Sequence, residues 1–407
     1  MAAATANASA AGTVPVDYKS LRFQWINVIF FAATTAMAIY SVILIPMQWK
    51  TMAFAALLFA LGCLSITAGY HRHWSHRAYE ARWPMRVFFA LGGACAFQGS
   101  ALWWCRHHRA HHRWTDSEHD PYGAQKGLFW SHIGWLLYEE DAAKAQAQKK
   151  RRPRVYVDDL EQDPILAWQH RNFVWLAPVM SFLFPTVVAG YFWGDWMGGY
   201  FHSGILRMVA THHVTFCVNS LAHYLGETAY EDEQTPRDHF ITALITFGEG
   251  YHNFHHTFPR DYRNAVRWWQ YDPTKWLIWT CSKLGLAYGL RRFPENEVTK
   301  ARVIIAAKRL EAEKRQVNWG LQRSELPKFT WDEFIRACED PKNWWTVIDG
   351  DVYDIAPFAD EHPGGMTFMR TARGRDVTDA FNGGVHRHRG VAQRLLDSLR
   401  IATIVKP

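Results

Sequence analysis

The chain has 407 residues, more than one hydrophobic core normally serves, so at least two domains are expected. Aromatic residues make up 15% of the chain, including 21 Trp, and the formal net charge is +7, a composition typical of proteins that contact membrane interfaces. The Lys/Arg runs occur without a nucleic-acid-binding motif, so we expect a membrane surface or an anionic ligand as partner and no nucleic acid. The six Cys form no CxxC pair, so no disulfide framework is expected.

The first part of the chain predicts a tail followed by apolar helices. Residues 1–20 lack a basic start and a long apolar core, which predicts a disordered N-terminal tail and not a secretory signal. Residues 25–45 and 52–70 are almost wholly apolar, and each is long enough to cross a hydrocarbon core of about 30 Å. We predict two transmembrane helices there, with buried helices of a soluble protein as the alternative. Residues 83–104 mix apolar and polar side chains, which indicates a helix lying at the interface.

Two more apolar segments follow later in the chain. Residues 173–193 and 200–220 are predicted to form the third and fourth transmembrane helices. The fourth is interrupted by Arg207, His212 and His213, so we expect it to face the bundle interior or to project beyond the bilayer. Lys and Arg concentrate on one side of the two hairpins, and the positive-inside rule therefore places both termini in the cytosol.

Three clusters of histidine lie on that same predicted cytosolic side. The first histidine box, residues 71–76, holds an i, i+5 pair of histidines. The second box, residues 108–112, and the third box, residues 252–256, each hold histidines at i, i+3 and i+4, which share one face of a helix. Imidazole is a ligand for zinc, iron and copper, and the eight candidate ligands exceed what one ion can use. Two metal ions are the economical interpretation.

The last part of the chain predicts a connector and a separate soluble domain. Pro294 opens a charged helix that is expected to end near Gly320, so residues 294–324 are interpreted as a helical connector. Residues 325–407 have the composition of a small α+β domain, with a helix near 331–338 and short strands near 346–348 and 352–355.

The sequence VYDIAPF at residues 352–358, followed by DEHPGG at residues 360–365, resembles cytochrome b5. The resemblance covers nearly all of the chain from residue 327 onward. It implies a domain that binds haem b through two axial ligands, His362 in the HPGG turn and His388, which matches the second position better than His386. Two histidine ligands saturate the iron, which implies an electron carrier and not an oxygenase.

Four motifs of the preceding region match one family in order and type: GYHRHWSH at 69–76, HRAHH at 108–112, NSLAH at 219–223 and GEGYHNFHH at 248–256. Residues 21–293 thereby resemble the membrane acyl-CoA desaturases of the stearoyl-CoA Δ9 type, in the fungal form with a fused C-terminal cytochrome b5 domain. The resemblance implies an α-helical integral membrane protein with four transmembrane helices and a cytosolic helical cap that holds a dinuclear metal site. In that family nine histidines hold two irons, and the matching residues are His71, His76, His108, His111, His112, His223, His252, His255 and His256, with Asn219 reaching one iron through water.

The chemistry of the reaction agrees with this resemblance. Removing hydrogen from an unactivated methylene requires an oxidant made from dioxygen, which iron can generate and zinc cannot, and a haem domain can deliver the electrons one at a time. The expected function is therefore oxygen-dependent Δ9 desaturation of palmitoyl- or stearoyl-CoA at the endoplasmic reticulum membrane, with an NADH-cytochrome b5 reductase as external electron donor. The implied substrate contacts are Gln98, Trp104 and Thr215 near the bend of an acyl tunnel, Phe59 and Cys63 near its closed end, and Arg106 near the head group.

Three positions depart from the family pattern. Animal members have a basic pair that meets coenzyme A where this chain has Glu139 and Glu140, and an Asp where it has His107. The basic run at residues 149–154 is an alternative source of positive charge. A di-iron sphingolipid or acyl hydroxylase is the alternative enzyme, and a haem and metal redox relay or sensor is the alternative without catalysis.

Overall fold

The computed structural model describes residues 14–140 and 155–405, which divide into two compact units, residues 1–307 and 308–407. The basic run at 149–154 and most of the predicted tail, residues 1–13, lie outside the described residues. Residues 14–20 are more ordered than the tail prediction expected. Residues Tyr18–Ser20 form a 3-10 turn capped by Asp17, and the backbone N–H of Val14 donates to the carbonyl of Gln125 at 3.0 Å.

Long apolar helices dominate the first unit. By length and composition three of them are suited to cross a membrane: Trp25–Leu44, Trp49–Ser75 and Pro164–Trp193. They correspond to the first three predicted spans, but the second continues five residues past its predicted end and the third begins nine residues before its predicted start. The predicted fourth span is also helical, as Gly199–Leu206 continuing into Arg207–Asn219. This helix is not apolar enough to count as a candidate membrane span, because Arg207 and several histidines interrupt its apolar sequence.

The region between the second and third long helices differs from the prediction of one helix at 83–104. It forms two helices, Trp83–Ala96 and Ala101–Trp114, which are bent by 84° relative to each other. The break lies at Phe97, whose φ of 58° is left-handed, and Ser100 caps the second helix by accepting the N–H of Trp103 at 3.3 Å. Taken together, the pair is apolar enough to count as a fourth, broken span.

Arg207 is buried inside the helical bundle. Its guanidinium donates to three backbone carbonyls, those of Cys95 at 2.6 Å, Ser181 at 3.1 Å and Ser203 at 3.0 Å. Ser203 belongs to the same helix as Arg207. Cys95 belongs to Trp83–Ala96, and Ser181 belongs to the π-helical segment Val179–Leu183 of the third long helix. The buried cation therefore joins three helices.

Shorter elements surround this bundle and carry most of the polar side chains. Two small antiparallel pairs, Leu21–Phe23 with Tyr138–Glu140 and Glu80–Ala81 with Ala287–Tyr288, join distant parts of the chain. The largest buried cluster, which includes Tyr70, Phe89, Leu166 and Ile278, lies beside the first and second boxes. Within the described residues, the other helical segments of this part of the chain are the short turns Ala124–Lys126, Trp130–Gly134, Trp135–Leu137, Asp158–Glu161, Trp196–Gly198 and Leu221–Tyr224, and the helices Phe240–Ile245, His252–Thr257, Pro273–Lys283 and Glu295–Gln316.

The second unit has the predicted α+β composition. Its sheet has four strands in the order Lys328–Phe329, Arg400–Ile404, Asp351–Asp354 and Trp345–Ile348. Both predicted strands are therefore present. The predicted helix is Trp331–Ala337, and it begins at a capping box in which Thr330 and Glu333 satisfy each other's backbone N–H groups. The helices Met366–Ala372 and Gly390–Leu399 and the π-helical turn Ala380–Gly384 complete the unit.

Candidate metal centre

The first histidine box lies on a π-helix. The second long helix changes from α to π geometry over Ser65–Ser75, and the N–H of His76 donates to the carbonyl of His71, five residues earlier, at 3.1 Å. Residues five apart diverge on an α-helix, whereas the i, i+5 hydrogen bond of a π-helix keeps them on one side. The rings of His71 and His76 are accordingly 4.8 Å apart, between centroids. The unusual spacing of this box is thus explained by its backbone.

Five histidines from all three boxes form the first group. Their candidate ligand atoms lie within 4.8 Å of one another, and the group consists of His71, His76, His108, His112 and His255. The Nε2 atom of His255 lies 2.9 Å from that of His71 and 3.0 Å from that of His112. The Nε2 atoms of His76 and His108 are 2.8 Å apart. The five rings therefore converge through the nitrogen that is farthest from the backbone.

Four more histidines form a second group with the same spacing, and these are His111, His223, His252 and His256. Its Nε2 atoms also converge, those of His252 and His256 being 3.1 Å apart. The two groups adjoin, because the ring of His112 in the first stacks on the ring of His256 in the second with centroids 4.1 Å apart. All nine sequence-predicted histidines are thus brought together.

The chemistry of these donors fits metal ions. A pair of facing imidazole nitrogens can share only one proton, yet the Nε2 of His255 faces two other Nε2 atoms. The Nε2 of His223 is buried and has no hydrogen-bond partner among the described residues. Burial lowers the pKa of His223, His255 and His256 well below the ordinary value and that of His252 to about 3, so these imidazoles are neutral, the form that binds metals.

Several of the imidazoles are oriented through their other ring nitrogen. His71 Nδ1 contacts Glu249 at 3.0 Å, His111 Nδ1 contacts Asp120 at 2.9 Å, and His223 Nδ1 contacts the hydroxyl of Thr235 at 2.8 Å. A donor bond at Nδ1 leaves the Nε2 lone pair free for a metal. Sequence reasoning missed all three partners, since an isolated Asp or Thr carries no signal of its own and Glu249 was noticed only as part of the third box motif.

Glu249 is held as a buried anion. Burial raises its pKa, but Arg72, whose guanidinium lies 2.8 Å away, and His71 together lower it to about 2. The amide of Asn264 donates to its second oxygen at 2.7 Å. The carboxylate is therefore ionised at neutral pH and saturated with donors.

The turn before the third box depends on glycine. Gly248 has a φ of 94°, and a Cβ at Gly250 would lie 2.1 Å from the backbone nitrogen of Ala243. The helix His252–Thr257 follows at once, and the carboxylate of Asp238 accepts the N–H groups of Asn253 at 2.8 Å and Phe254 at 3.1 Å. This close approach and capping fix the direction in which the three histidines of the box point.

Gln169 joins the elements that carry the first two boxes. Its side chain is fully buried, and its Oε1 accepts the N–H of Ala101, the first residue of the helix that bears the second box, at 2.8 Å. Its Nε2 donates to the hydroxyl of Tyr70, the residue before His71, at 2.6 Å and to the carbonyl of Ala90 at 2.7 Å. One amide thus sets the separation between two ligand-bearing helices.

Of the three residues predicted near the tunnel bend, two contact each other and the third contacts a histidine of the first group. The Nε2 of Gln98 donates to the hydroxyl of Thr215 at 2.9 Å, while its Oε1 is buried without a partner among the described residues. The indole of Trp104 stacks on His108 with centroids 4.9 Å apart. The structure therefore joins the first pair and sets Trp104 against the metal ligands, while their contact with substrate stays a prediction.

The residues predicted at the closed end and the head group lie elsewhere. Phe59 and the buried Cys63 are one turn apart on the second long helix, and the ring of Phe59 meets Phe247 edge-on at 5.6 Å. Arg106 forms an ion pair with Glu161 at 2.7 Å, and both side chains are half-exposed. These roles also remain predictions.

His73, His107 and Asn219 lie apart from the nine grouped histidines. His73 is buried outside both groups, with its Nδ1 3.0 Å from the carbonyl of Tyr79, and His107 lies outside both groups as well. Asn219, the proposed ligand through water, is the half-buried last residue of Arg207–Asn219, four residues before His223.

The two predicted haem ligands face each other in the second unit. The rings of His362 and His388 are 6.2 Å apart, between centroids, and Nδ1 of His388 lies 2.9 Å from the carbonyl of Phe381. The Phe381 ring also stacks on His388 at 4.3 Å. The separation of the two imidazoles leaves room for one metal ion between them, and burial lowers the pKa of His362, which favours its neutral, ligating form.

Comparison with known proteins assigns a family to each of two parts of the chain. The family model for "Fatty acid desaturase" matches residues 47–292, and that for "Cytochrome b5-like Heme/Steroid binding domain" matches residues 330–405. The chain belongs to the fatty acid desaturase family and carries a cytochrome b5-like domain, a type of domain that implies haem.

Its relatives narrow this class to the acyl-CoA desaturases. The chain is 45% identical over 381 residues to the probable acyl-CoA desaturase of Schizosaccharomyces pombe, covering 94% of this chain and 77% of the relative. It is 42% identical to acyl-CoA desaturase 1 of Saccharomyces cerevisiae, with 94% and 74% covered. It is 38% identical to the Delta(9)-fatty-acid desaturase fat-6 of Caenorhabditis elegans, with 67% and 80% covered.

Proposed function

We propose that this protein is an oxygen-dependent acyl-CoA Δ9 desaturase that inserts a cis double bond into palmitoyl- or stearoyl-CoA. The observation that carries the proposal is the meeting of nine imidazoles, seven of them buried, in two adjoining groups. The names of the relatives support the acyl-CoA substrate and the Δ9 position.

We propose that each histidine group holds one iron ion. The five imidazoles of the first group would bind one iron, and the four imidazoles of the second group would bind the other, with Asn219 reaching it through water. When bound, the irons supply the redox chemistry that activates dioxygen. The protein's own part is to hold neutral imidazoles in place through Glu249, Asp120 and Thr235 and to keep the site buried.

The chain also determines which carbons react. The Gln98–Thr215 hydrogen bond and the indole of Trp104 are the proposed walls of the bend, and they would hold one segment of the acyl chain under the histidine groups. Phe59 and Cys63 are the proposed closed end. The ion pair of Arg106 with Glu161 is half-exposed and therefore weak, so the guanidinium can turn to a phosphate of coenzyme A.

Electrons enter through the haem domain in this proposal. Desaturation removes two electrons and two protons from the acyl chain, and two further electrons and two protons complete the reduction of one dioxygen to two waters. A haem b held by His362 and His388 carries one electron at a time. The sequence contains no Gly-rich dinucleotide fingerprint after a strand, so we propose a separate NADH-cytochrome b5 reductase as the source.

The proposed location is the endoplasmic reticulum membrane. Candidate spans and family membership support a membrane protein. We propose that residues 199–219 form the fourth membrane crossing. Both termini would lie on the cytosolic side, where a helical cap holds the histidine groups. The proposed domains are the tail at residues 1–20, the desaturase domain at 21–293, the connector at 294–324 and the haem domain at 325–407.

Expression in a yeast strain that lacks its own desaturase tests the proposal. Gas chromatography with mass spectrometry of the total fatty acids should show 16:1 and 18:1 products with a cis double bond at carbon 9, formed only in air. The matched control is the His256→Ala variant. Hydroxylated acyl chains would support the hydroxylase alternative, and an unchanged lipid profile with intact haem would support the redox relay or sensor.

A further inference from the structure

Large apolar side chains are exposed on the short helix Phe240–Ile245, after the last of the long helices. Four of them are between 44% and 57% exposed, and these are Phe240, Ile241, Leu244 and Ile245. The other face of the helix, with Thr242 and Ala243, is buried. Positions i, i+1, i+4 and i+5 lie on one side of a helix, so the exposed side chains form a single apolar face.

A second exposed apolar face follows about 25 residues later in the chain. Trp268 and Trp269 precede the helix Pro273–Lys283 and are 82% and 57% exposed. The helix buries Thr274, Lys275 and Ile278 on one side. Its other side exposes Trp276 and Trp279, and the exposed Leu284 follows directly.

The two faces belong to one rigid block of the first unit. Ala243, from the first helix, is buried against Tyr251 and Ala265, and Ala265 lies two residues before Arg267. The carboxylate of Asp272 caps the second helix at Lys275 and also accepts the N–H of Ala265 at 3.2 Å. The two exposed faces therefore share one small core.

This block is attached along the second long helix. The ring of Phe247, two residues after the first helix, meets Phe59 at 5.6 Å, and the hydroxyls of Thr274 and Thr67 are 2.7 Å apart. Phe59 and Thr67 both lie on Trp49–Ser75, which is apolar enough to cross a membrane. The block that carries the exposed faces is thus packed against a candidate membrane span.

The charges of the second face have one sign. Between residues 266 and 294 the sequence has one acidic residue, Asp272, and it is fully buried. The guanidinium of Arg267 lies over the ring of Trp269 at 5.6 Å, and the ammonium of Lys283 lies over the ring of Trp279 at 5.4 Å. Paired tryptophans and cations are typical of the membrane interface, and Lys or Arg there attract anionic lipid.

We propose that residues 240–245 and 267–284 form an interfacial patch that lies in the headgroup region of a bilayer and binds anionic phospholipid through Arg267 and Lys283. Large apolar side chains grouped on an exposed face indicate an interaction site, and a helix with one buried face and one exposed apolar face fits the boundary between headgroups and acyl chains. The patch goes beyond the proposed desaturase function, because it requires a bilayer and no particular acyl substrate.

Photo-cross-linking of the full chain tests the patch. The photoreactive residue benzoylphenylalanine would replace Trp279 or Ile241, and each variant would be placed in nanodiscs of equal phosphatidylcholine and phosphatidylserine. The same replacement at Trp175, on the third long helix, is the lipid-facing reference. The same replacement at the exposed Tyr156 is the matched control. Mass spectrometry should find lipid adducts at Trp279 and Ile241 close to the yield at Trp175 and about tenfold above Tyr156. A yield no higher than at Tyr156 would overturn the proposal.

A second arm tests the choice of lipid. In the Arg267→Glu, Lys283→Glu double variant, the share of phosphatidylserine among adducts at Trp279 should fall to that of phosphatidylcholine, while the total yield persists. An unchanged phosphatidylserine share would overturn the anionic-lipid part. Both residues lie outside the histidine groups, and iron content measured on the same preparations should equal that of the unmodified protein.

Discussion

The Nδ1–H of His71 donates to the carboxylate of Glu249 at 3.0 Å, which connects the first histidine box to the third. Glu249 lies three residues before His252, and its other contacts, to Arg72 and Asn264, leave it no freedom to turn away. One buried anion therefore orients a ligand from a helix nearly 180 residues away in the sequence. Such links hold the histidine groups together through the protein's own side chains.

Replacing Glu249 by Gln should weaken metal binding without removing a ligand. The amide keeps the shape but loses the charge that faces Arg72, and loss of an outer partner of this kind typically costs about 10 to 100-fold in metal affinity. Iron per chain after dialysis against a chelator is the measurement. Glu161→Gln is the matched control, since that carboxylate is half-exposed and lies outside both groups. Equal iron retention in both variants would contradict the proposed role.

Removing a ligand should abolish desaturation altogether. His71→Ala, His112→Ala and His256→Ala should each lose more than about 100-fold in activity, exceeding the loss attributed to outer partners, while the protein still inserts in the membrane. His73→Gln is the control, because His73 lies outside both groups and Gln can still donate to the carbonyl of Tyr79. Fatty acid analysis of expressing cells gives the result. Substantial activity in all three Ala variants would show that the groups are not the catalytic centre.

Gln169→Leu should lower iron content although Gln169 touches no histidine of either group. Leu fills the volume but leaves the N–H of Ala101, the hydroxyl of Tyr70 and the carbonyl of Ala90 without their partner, at about 1 to 3 kcal/mol for each buried group. Iron stoichiometry and thermal unfolding should both be measured. Gln162→Leu, at an exposed position two residues before the same helix begins, is the control. Reduced stability with full iron occupancy would mean that Gln169 supports the fold and does not position the ligands.

Cys63→Trp should shift the products toward shorter acyl chains. A large side chain at the proposed closed end excludes methylenes, each worth about 0.8 kcal/mol when buried. The ratio of C16 to C18 products should therefore rise. Leu57→Trp, at an exposed position on the same helix, controls for the added bulk. A ratio unchanged from the parent would place the tunnel end elsewhere.

His362→Ala should eliminate haem and most turnover while leaving iron at the histidine groups. His386→Ala is the matched control, because its ring lies beside His388 at 5.3 Å but does not face His362. Haem absorbance and fatty acid products should be measured in cells without another cytochrome b5. Turnover at the parent rate in the haem-free variant would exclude the domain as electron donor.

The sequence was sufficient to select the nine histidines that the structure brings together in two groups. Spacing of i, i+3 and i+4 places three imidazoles on one helix face whatever surrounds them, and the second and third boxes do lie on helices. Motif identity alone could not supply the partners at Asp120, Thr235 and Gln169, because their roles arise from residues that meet only in the folded chain.

Two backbone irregularities also could not be predicted from the sequence. Residues five apart, such as His71 and His76, do not lie on one face of an α-helix. They do so here because the segment is a π-helix, which hydrophobicity does not reveal. The single helix predicted over residues 83–104 is broken because Phe97 adopts a left-handed conformation, which for a bulky residue is favoured by tertiary packing and not by local propensity.

The buried guanidinium of Arg207 has a consequence for the order of membrane insertion. An Arg at the centre of an isolated helix opposes translocon insertion by about 3 kcal/mol. Two of its carbonyl acceptors, at Cys95 and Ser181, belong to helices that the ribosome completes first. Residues 199–219 would thus enter the bilayer against partners already present, and a circular permutant that began with this helix would present the cation to lipid before its acceptors existed.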